Sequence, residues 1–279
     1  MSPELKSRWT WGIAAGALVL VTLFWLGPEA TFFLAAAAGV QGWKEYCRLM
    51  GLDHKPALHY IGYILVGLMF THAFFVGAKT MFWLWLTWLV GFVSIFVGHL
   101  SEKKKDQTIE FDVQQHWTHL CRFILGIFYI YMMFGFVGPI ISKVHGEYLL
   151  LLALLCTFMG DTAAYFVGKS RGKRKLWPEL SPGKTIEGVY GGWAGSVLAS
   201  LILWGIYRAF LGPTAFSLLQ CLMVGILAGP LSQAGDLMES LMKRVSGRKD
   251  SGRLLPGHGG ILDRADGLVF VMPVIYFLF

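Results

Sequence analysis

The chain has 279 residues, of which 55% are hydrophobic and 15% charged, and it carries a net charge of +7. So apolar a composition excludes an ordinary soluble domain; the expected class is a polytopic membrane protein. The excess of basic residues is read as membrane topology, and no nucleic-acid partner is expected.

In chain order, runs apolar enough to approach a crossing of about 20 residues occur at 11–27, 31–50, 58–77, 81–99, 119–141, 148–168, 188–208, 214–235 and 261–279. The second is apolar at first and then amphipathic. Lys6 and Arg8 precede the first run, but "WLGPEA" offers no small-residue cleavage site, so a retained span is expected rather than a signal peptide. Cys47, Cys121, Cys156 and Cys221 form no C-x-x-C pair and sit in or beside apolar runs, which reads as buried thiols and neither a disulfide framework nor a zinc site. His116 and His119, three apart, read as interfacial.

If the N-terminus is cytoplasmic and all nine runs cross, Lys79, Lys143 and Arg208 fall outside and the other 21 of the 24 Lys and Arg fall on or near the inside, as the positive-inside rule requires. The expectation is therefore an all-α membrane bundle of about nine transmembrane helices with a cytoplasmic N-terminus. It divides into N-terminal membrane helices at 1–145 and a C-terminal catalytic part at 146–279. Polar sequence gathers in inside loops near 100–118, at 169–187 and at 236–260, so a functional site is expected on that face.

The first motif lies in the run at 148–168. There Asp161 interrupts apolar sequence, and a carboxylate at membrane depth is costly enough to be a functional candidate, though a protonated or internally paired structural role stays open. Tyr165, one turn on, shares its helical face. "SPGKT" at 181–185 resembles the end of a phosphate-binding P-loop, but position 178 is proline where that motif needs glycine, and the P-loop is rejected. What remains is Ser181, Lys184 and Thr185 at a helix start, behind Lys169, Arg171, Lys173, Arg174 and Lys175. A helix N-terminus with ammonium groups beside it suits phosphate; topology-setting charge is the competing reading.

Farther on, Asp236, Glu239 and Lys243 share a helical face, so two carboxylates are expected to approach one cation, with Arg244 next to it. A surface salt-bridge ladder is the plainer alternative. The glycines of "PGHGG" allow close backbone approach, and Asp263 and Asp266 follow three apart with Arg264 between. Carboxylates grouped beside cations at the mouth of a membrane fit Mg²⁺ with substrate phosphates better than a calcium cage. His258 can be read as a ligand, a phosphate donor or a loop hydrogen-bonder.

The stretch "SLMKRVSGRKDSGRLLPGHGGILDRAD", 240–266, resembles the signature of the phosphatidate cytidylyltransferase family through Ser240, Lys243, Arg244, Lys249, Asp250, Pro256, His258, Gly259, Gly260, Asp263, Arg264 and Asp266. "GDTAAYFVGKSRGKRKLWPELSPGKTIEG" is similar to the family's second block, with Thr162 where many relatives carry Asn or Ser, and "EYCRLMG" at 45–51 to a weaker one. The resemblance covers about the last 120 residues well.

It implies that CTP and phosphatidic acid give CDP-diacylglycerol and pyrophosphate at a bacterial inner membrane, with the site facing the cytoplasm. It implies Mg²⁺ on Asp161, Asp236, Asp263 and Asp266, a second monovalent or divalent cation being open. Lys184, Asp236, Lys243, Arg244, His258, Asp263 and Arg264 would be catalytic. Asp161, Tyr165, Ser181, Thr185, Lys249, Asp250, Gly259 and Gly260 would bind substrate. A homodimer stays open. A transporter would want polar groups near midplane and access from both sides. A CDP-alcohol phosphotransferase needs D-G-x-x-A-R, whereas Asp266 and Gly267 run into "LVFV".

Overall fold

A computed structural model of the chain describes residues 3–76, 113–212, 215–252, 254 and 259–279. The expected run at 81–99, Lys79, much of the loop near 100–118, and His258 lie outside those residues.

The described elements are α1 (Pro3–Val21), a π-turn (Thr22–Leu26), α2 (Gly27–Met50), α3 (Pro56–Val76), α4 (Val113–Ile130), a second π-turn (Tyr131–Gly135), α5 (Val137–Ile141) and α6 (Gly146–Arg171). A two-stranded antiparallel hairpin, β1 (Lys175–Trp177) and β2 (Ser181–Thr185), follows; then come α7 (Ile186–Leu211), α8 (Leu218–Val245), the short α9 (Leu262–Ala265) and α10 (Leu268–Leu278).

Among the described residues five helical stretches are long and apolar enough to cross a membrane: Thr10–Met50, Gln114–Ile141, Gly146–Arg171, Ile186–Leu211 and Leu218–Val245. The protein is an integral membrane helix bundle. The first stretch holds 41 residues, roughly 60 Å of helix, about twice the hydrocarbon core. It is interrupted where the sequence separates its first two runs: Gly27 takes φ 88° and ψ 179°, outside the helical region.

Two expectations are corrected. The run at 261–279 is not one continuous helix: a two-residue turn at Asp266 and Gly267 divides it into α9 and α10, of 4 and 11 residues. And 169–187 is not a bare loop, because β1 and β2 pair there. Exposed Lys175 and Trp177 flank partly buried Leu176, and Glu187 accepts the N–H groups of Lys173 and Arg174, closing the hairpin's base. The bundle itself is helical as expected.

Helix starts follow local chemistry. Thr185 caps α7 by accepting the Gly188 N–H at 3.1 Å, and Ser217 with Gln220 forms a reciprocal capping box on α8. Between α6 and α7 the contact is lined with small residues. A Cβ placed on Gly192 would lie 3.0 Å from both Ala164 Cβ and the Gly160 carbonyl, so the two backbones meet closely, as membrane helices without a hydrophobic drive between them require.

In the other half, fully buried Trp43 and Tyr46 of α2 stack with centroids 5.9 Å apart, and Phe123 of α4 meets Trp43 edge-on. Trp43 Nε1 donates to the His59 carbonyl at 3.0 Å and Tyr46 Oη to the Arg122 carbonyl at 2.8 Å, so α2 is clamped against both α3 and α4. The four thiols are free, as expected. Cys47, Cys156 and Cys221 are buried; Cys121 is not, because its face of α4 points away from the bundle.

Candidate active site

The polar residues converge where α6, β2, α8 and α9 meet. Lys184, the penultimate residue of β2, reaches α8: its Nζ lies 2.7 Å from Asp236 Oδ2 and 3.4 Å from the Gln233 carbonyl. Gln233, one turn before Asp236, donates through Nε2 to Asp161 Oδ1 of α6 at 3.0 Å. One side of the site is thus a chain of contacts, Asp161 to Gln233 to Lys184 to Asp236, drawn from three elements. Ser240 extends it, 3.4 Å from Asp236 Oδ1.

A second centre lies one to two turns further along α8. Lys243 Nζ donates to Glu239 Oε2 at 2.6 Å and to Asp263 Oδ1 at 2.9 Å. All three side chains are nearly closed off, at 17, 0 and 9% exposure. Asp236 therefore does not share Lys243 with Glu239, as the helical face alone predicts; it turns to Lys184, and Asp263 takes its place. A partner from another element offers better geometry than i,i+7 reach along one helix.

Asp263 Oδ2 also accepts from Ser251 N, Ser251 Oγ and Gly260 N at 2.9, 2.7 and 2.7 Å. Burial alone would raise the pKa of this carboxyl, but the Gly260 N–H, the Lys243 ammonium and the Ser251 hydroxyl together hold it down at about 2. Asp266 behaves oppositely. Burial first, and then the charge of Asp236, push it up to about 7 against the single bond from its neighbour Gly267 N at 2.8 Å. It sits there because Gly235 on α8 leaves no side chain to obstruct the Asp266 backbone.

The remaining expected residues are distributed unevenly. Arg244 is exposed, with Nε donating to the Leu180 carbonyl at 3.1 Å, so it pins the hairpin to α8. Tyr165 is exposed, with Lys169 over its ring, and does not follow Asp161 inward. Ser181 and Thr185 are strand and cap: "SPGKT" is extended backbone rather than a phosphate-wrapping loop. Lys249, Asp250 and Arg264 are exposed around the site, and Gly259 has φ 81° beside Asp263. Gln233, Ser251 and Glu45 were missed by sequence reading. Gln233 had a signal in its place one turn before Asp236, while Glu45 and Ser251 lie inside the stretches 45–51 and 240–266 that carry the family resemblance without being singled out there.

Among the described residues no three of His, Cys, Asp and Glu converge into a complete metal cage. The donor set nevertheless suits a hard cation that keeps water and phosphate oxygens as ligands. Asp161, Asp236 and Asp266 lie near enough to repel one another, and Glu239 Oε1 is buried without a hydrogen-bond partner among the described residues. Asp263, by contrast, has both oxygens engaged.

Fold and site together define a membrane-embedded helix bundle with alternating carboxylates and ammonium groups at one end of its spans, the equipment of an enzyme that handles phosphates. The chain belongs to the cytidylyltransferase family, whose profile matches residues 6–279. It is 45% identical over 134 residues to a phosphatidate cytidylyltransferase of Bacillus subtilis, 48% of each chain, and 42% identical over 148 residues to that of Staphylococcus saprophyticus, 53% of this chain and 55% of the relative. These matches span about half the length of those two relatives. An uncharacterized protein of Escherichia coli, YnbB, is 34% identical over 98% of this chain and 86% of its own.

Proposed function

We propose that the protein is a phosphatidate cytidylyltransferase, joining CTP and phosphatidic acid to give CDP-diacylglycerol and pyrophosphate. The observation that carries this reading is Lys184, held 2.7 Å from Asp236 where β2 enters α7, in a chain of the cytidylyltransferase family.

A lipid phosphate oxygen forms a bond to the α-phosphorus of CTP, and the bond from that phosphorus to the bridging oxygen breaks to release pyrophosphate. The attacking monoester is already largely dianionic near neutral pH, with a second pKa of about 6, so no strong protein base is needed. The barrier is charge crowding between two phosphates. Lys184, whose ammonium is tethered to Asp236 in a side chain 15% exposed, binds phosphate and lowers that repulsion. Lys243 keeps Asp263 and the loop before it fixed, and exposed Arg264 and Lys249 draw the triphosphate in from water. Mg²⁺ would be held by Asp236 and Asp266, with Asp161 beside them, and once bound would neutralise phosphate oxygens and polarise the α-phosphorus. Purified protein is expected to release pyrophosphate only when CTP and phosphatidate are both present; release with either omitted would sink the assignment.

The same reading places the N-terminus and the site on the cytoplasmic side of an inner membrane. What supports it is the separation of charge along the spans. Lys143 before α6 and Arg208 near the end of α7 share one end of the bundle, where Tyr207 Oη donates to the Tyr148 carbonyl at 2.7 Å; the basic hairpin and the 243–249 segment lie at the other. Single cysteines replacing Lys173 and Arg248 in a cysteine-free background should be labelled only from the cytosolic side, and labelling of both from outside sealed cells would invert the topology.

A further inference from the structure

Glu45 of α2 is fully buried in a membrane helix, and nothing in the phosphate chemistry uses it. Its Oε1 accepts from Gln41 Nε2 at 3.0 Å, one turn earlier on the same helix. Its Oε2 accepts from Leu262 N, at the start of α9, at 3.1 Å, and lies 3.3 Å from Ser251 Oγ. The Ser251 hydroxyl stands between two carboxylates, with Asp263 Oδ2 at 2.7 Å on its other side. Thus one side chain near residue 45 grips both ends of the segment that delivers Asp263 and Asp266, more than 200 residues away in sequence.

The segment is shaped around it. A Cβ on Gly252 would lie 2.6 Å from Glu45 Oε1, and a Cβ on Gly260 would run into both Glu45 and Ser251. Either addition would expel the carboxylate or push the backbone off it, so the glycines at these two positions record a close approach.

We infer that Glu45 is a positioning residue for the proposed transfer, the anchor that fixes Ser251 and Leu262 so that Asp263 meets Lys243. It touches no substrate and acts through Ser251 and the Leu262 N–H. Its role is hydrogen-bond acceptance at a fixed reach, and this separates it from an electrostatic role toward a cation. Glutamine can turn its carbonyl oxygen to Leu262 and Ser251 and its amide to Gln41, which can itself reverse to accept. Aspartate keeps the charge but falls short by about one carbon–carbon bond, ~1.5 Å.

The test is Glu45→Gln, Glu45→Asp and Glu45→Ala in the full-length protein, read in two ways. Amide hydrogen exchange at 251, 260 and 262 should quicken in the Asp and Ala variants and stay near wild type in Gln. In the pyrophosphate assay, Asp and Ala should lose about 100-fold in kcat, the scale set by misplacing catalytic groups by an ångström, with KM for CTP within about threefold; Gln should keep most turnover. Equal loss in Gln and Ala would make the charge of Glu45 what matters and overturn the proposal. So would unchanged exchange in both Asp and Ala. The inference rests on the proposed reaction for its kinetic arm alone: wild-type protein inert toward CTP and phosphatidate would defeat that reading, while the exchange pattern would still decide whether Glu45 holds the segment. If Ala fails to fold, the Asp-against-Gln comparison decides.

Discussion

Asp236→Asn is expected to lower kcat/KM by roughly 100- to 1000-fold, about 3 to 4 kcal/mol of transition-state stabilisation. The substitution keeps shape and removes charge at the one carboxylate that faces both the Lys184 ammonium at 2.7 Å and the neighbouring Asp161 and Asp266. What turnover remains should require more Mg²⁺, because a hard cation depends on that charge. Lys184→Ala should cost about 2 to 4 kcal/mol. The double variant should cost less than the two singles together, since each single change already breaks the same pair. Lys173→Ala, on the exposed base of the hairpin, should change kcat/KM little. Steady-state kinetics across Mg²⁺ concentration checks the whole set. Equal losses at Lys184 and Lys173 would reduce the site to a general basic surface.

Lys243→Met should be the most destabilising single change in the site, by about 3 to 5 kcal/mol, because it leaves Glu239 and Asp263 enclosed with no cation between them. Replacing Glu239 with leucine in the same chain should restore part of that loss by removing one of the stranded carboxylates. The pH dependence has a definite sign. Asp263 is held at about 2 against an ordinary 3.8, so its contribution is fully present above the ordinary value and is lost as pH falls through 2. Without Lys243 the folded-state value rises toward 3.8, so the acid loss of stability from this group should shrink and end at higher pH. Thermal unfolding in detergent from about pH 1.5 to pH 8 measures both effects; an unchanged Tm and acid limb in Lys243→Met would show the three groups to be independently solvated.

The helices and most of the site's charged residues were legible in the sequence for a simple reason. A bilayer rewards long apolar runs and penalises charge, so Asp161, alone in such a run, stands out on hydropathy alone. α6, α7 and α8 lie where hydropathy places them, and α8 continues past the apolar limit at 235 as far as Val245, carrying Asp236, Glu239 and Lys243 out of the span on one rod. The glycine-bearing stretch near 259–260 was likewise recognisable as a place of close backbone approach.

What hydropathy and helical period do not encode is partnership between elements. On a single helix Lys243 faces both Asp236 and Glu239, and only the packing of β2 and α9 against α8 decides that Asp236 goes to Lys184 while Asp263 goes to Lys243. The hairpin at 175–185 was hidden because strands of three and five residues are too short for an alternating pattern to be read. Glu45 was hidden more deeply still: in sequence it is one charge in the amphipathic end of a run, with its hydrogen-bond partners at 251 and 262. The amino-acid sequence by itself determined that this chain spans a membrane and which charged groups gather at one end of its helices, because the cost of burying charge acts locally. Which carboxylate meets which ammonium, and which residue holds the loop that carries them, was decided only by tertiary structure, because a hydrogen bond acts over about 3 Å and depends on where distant segments are brought together.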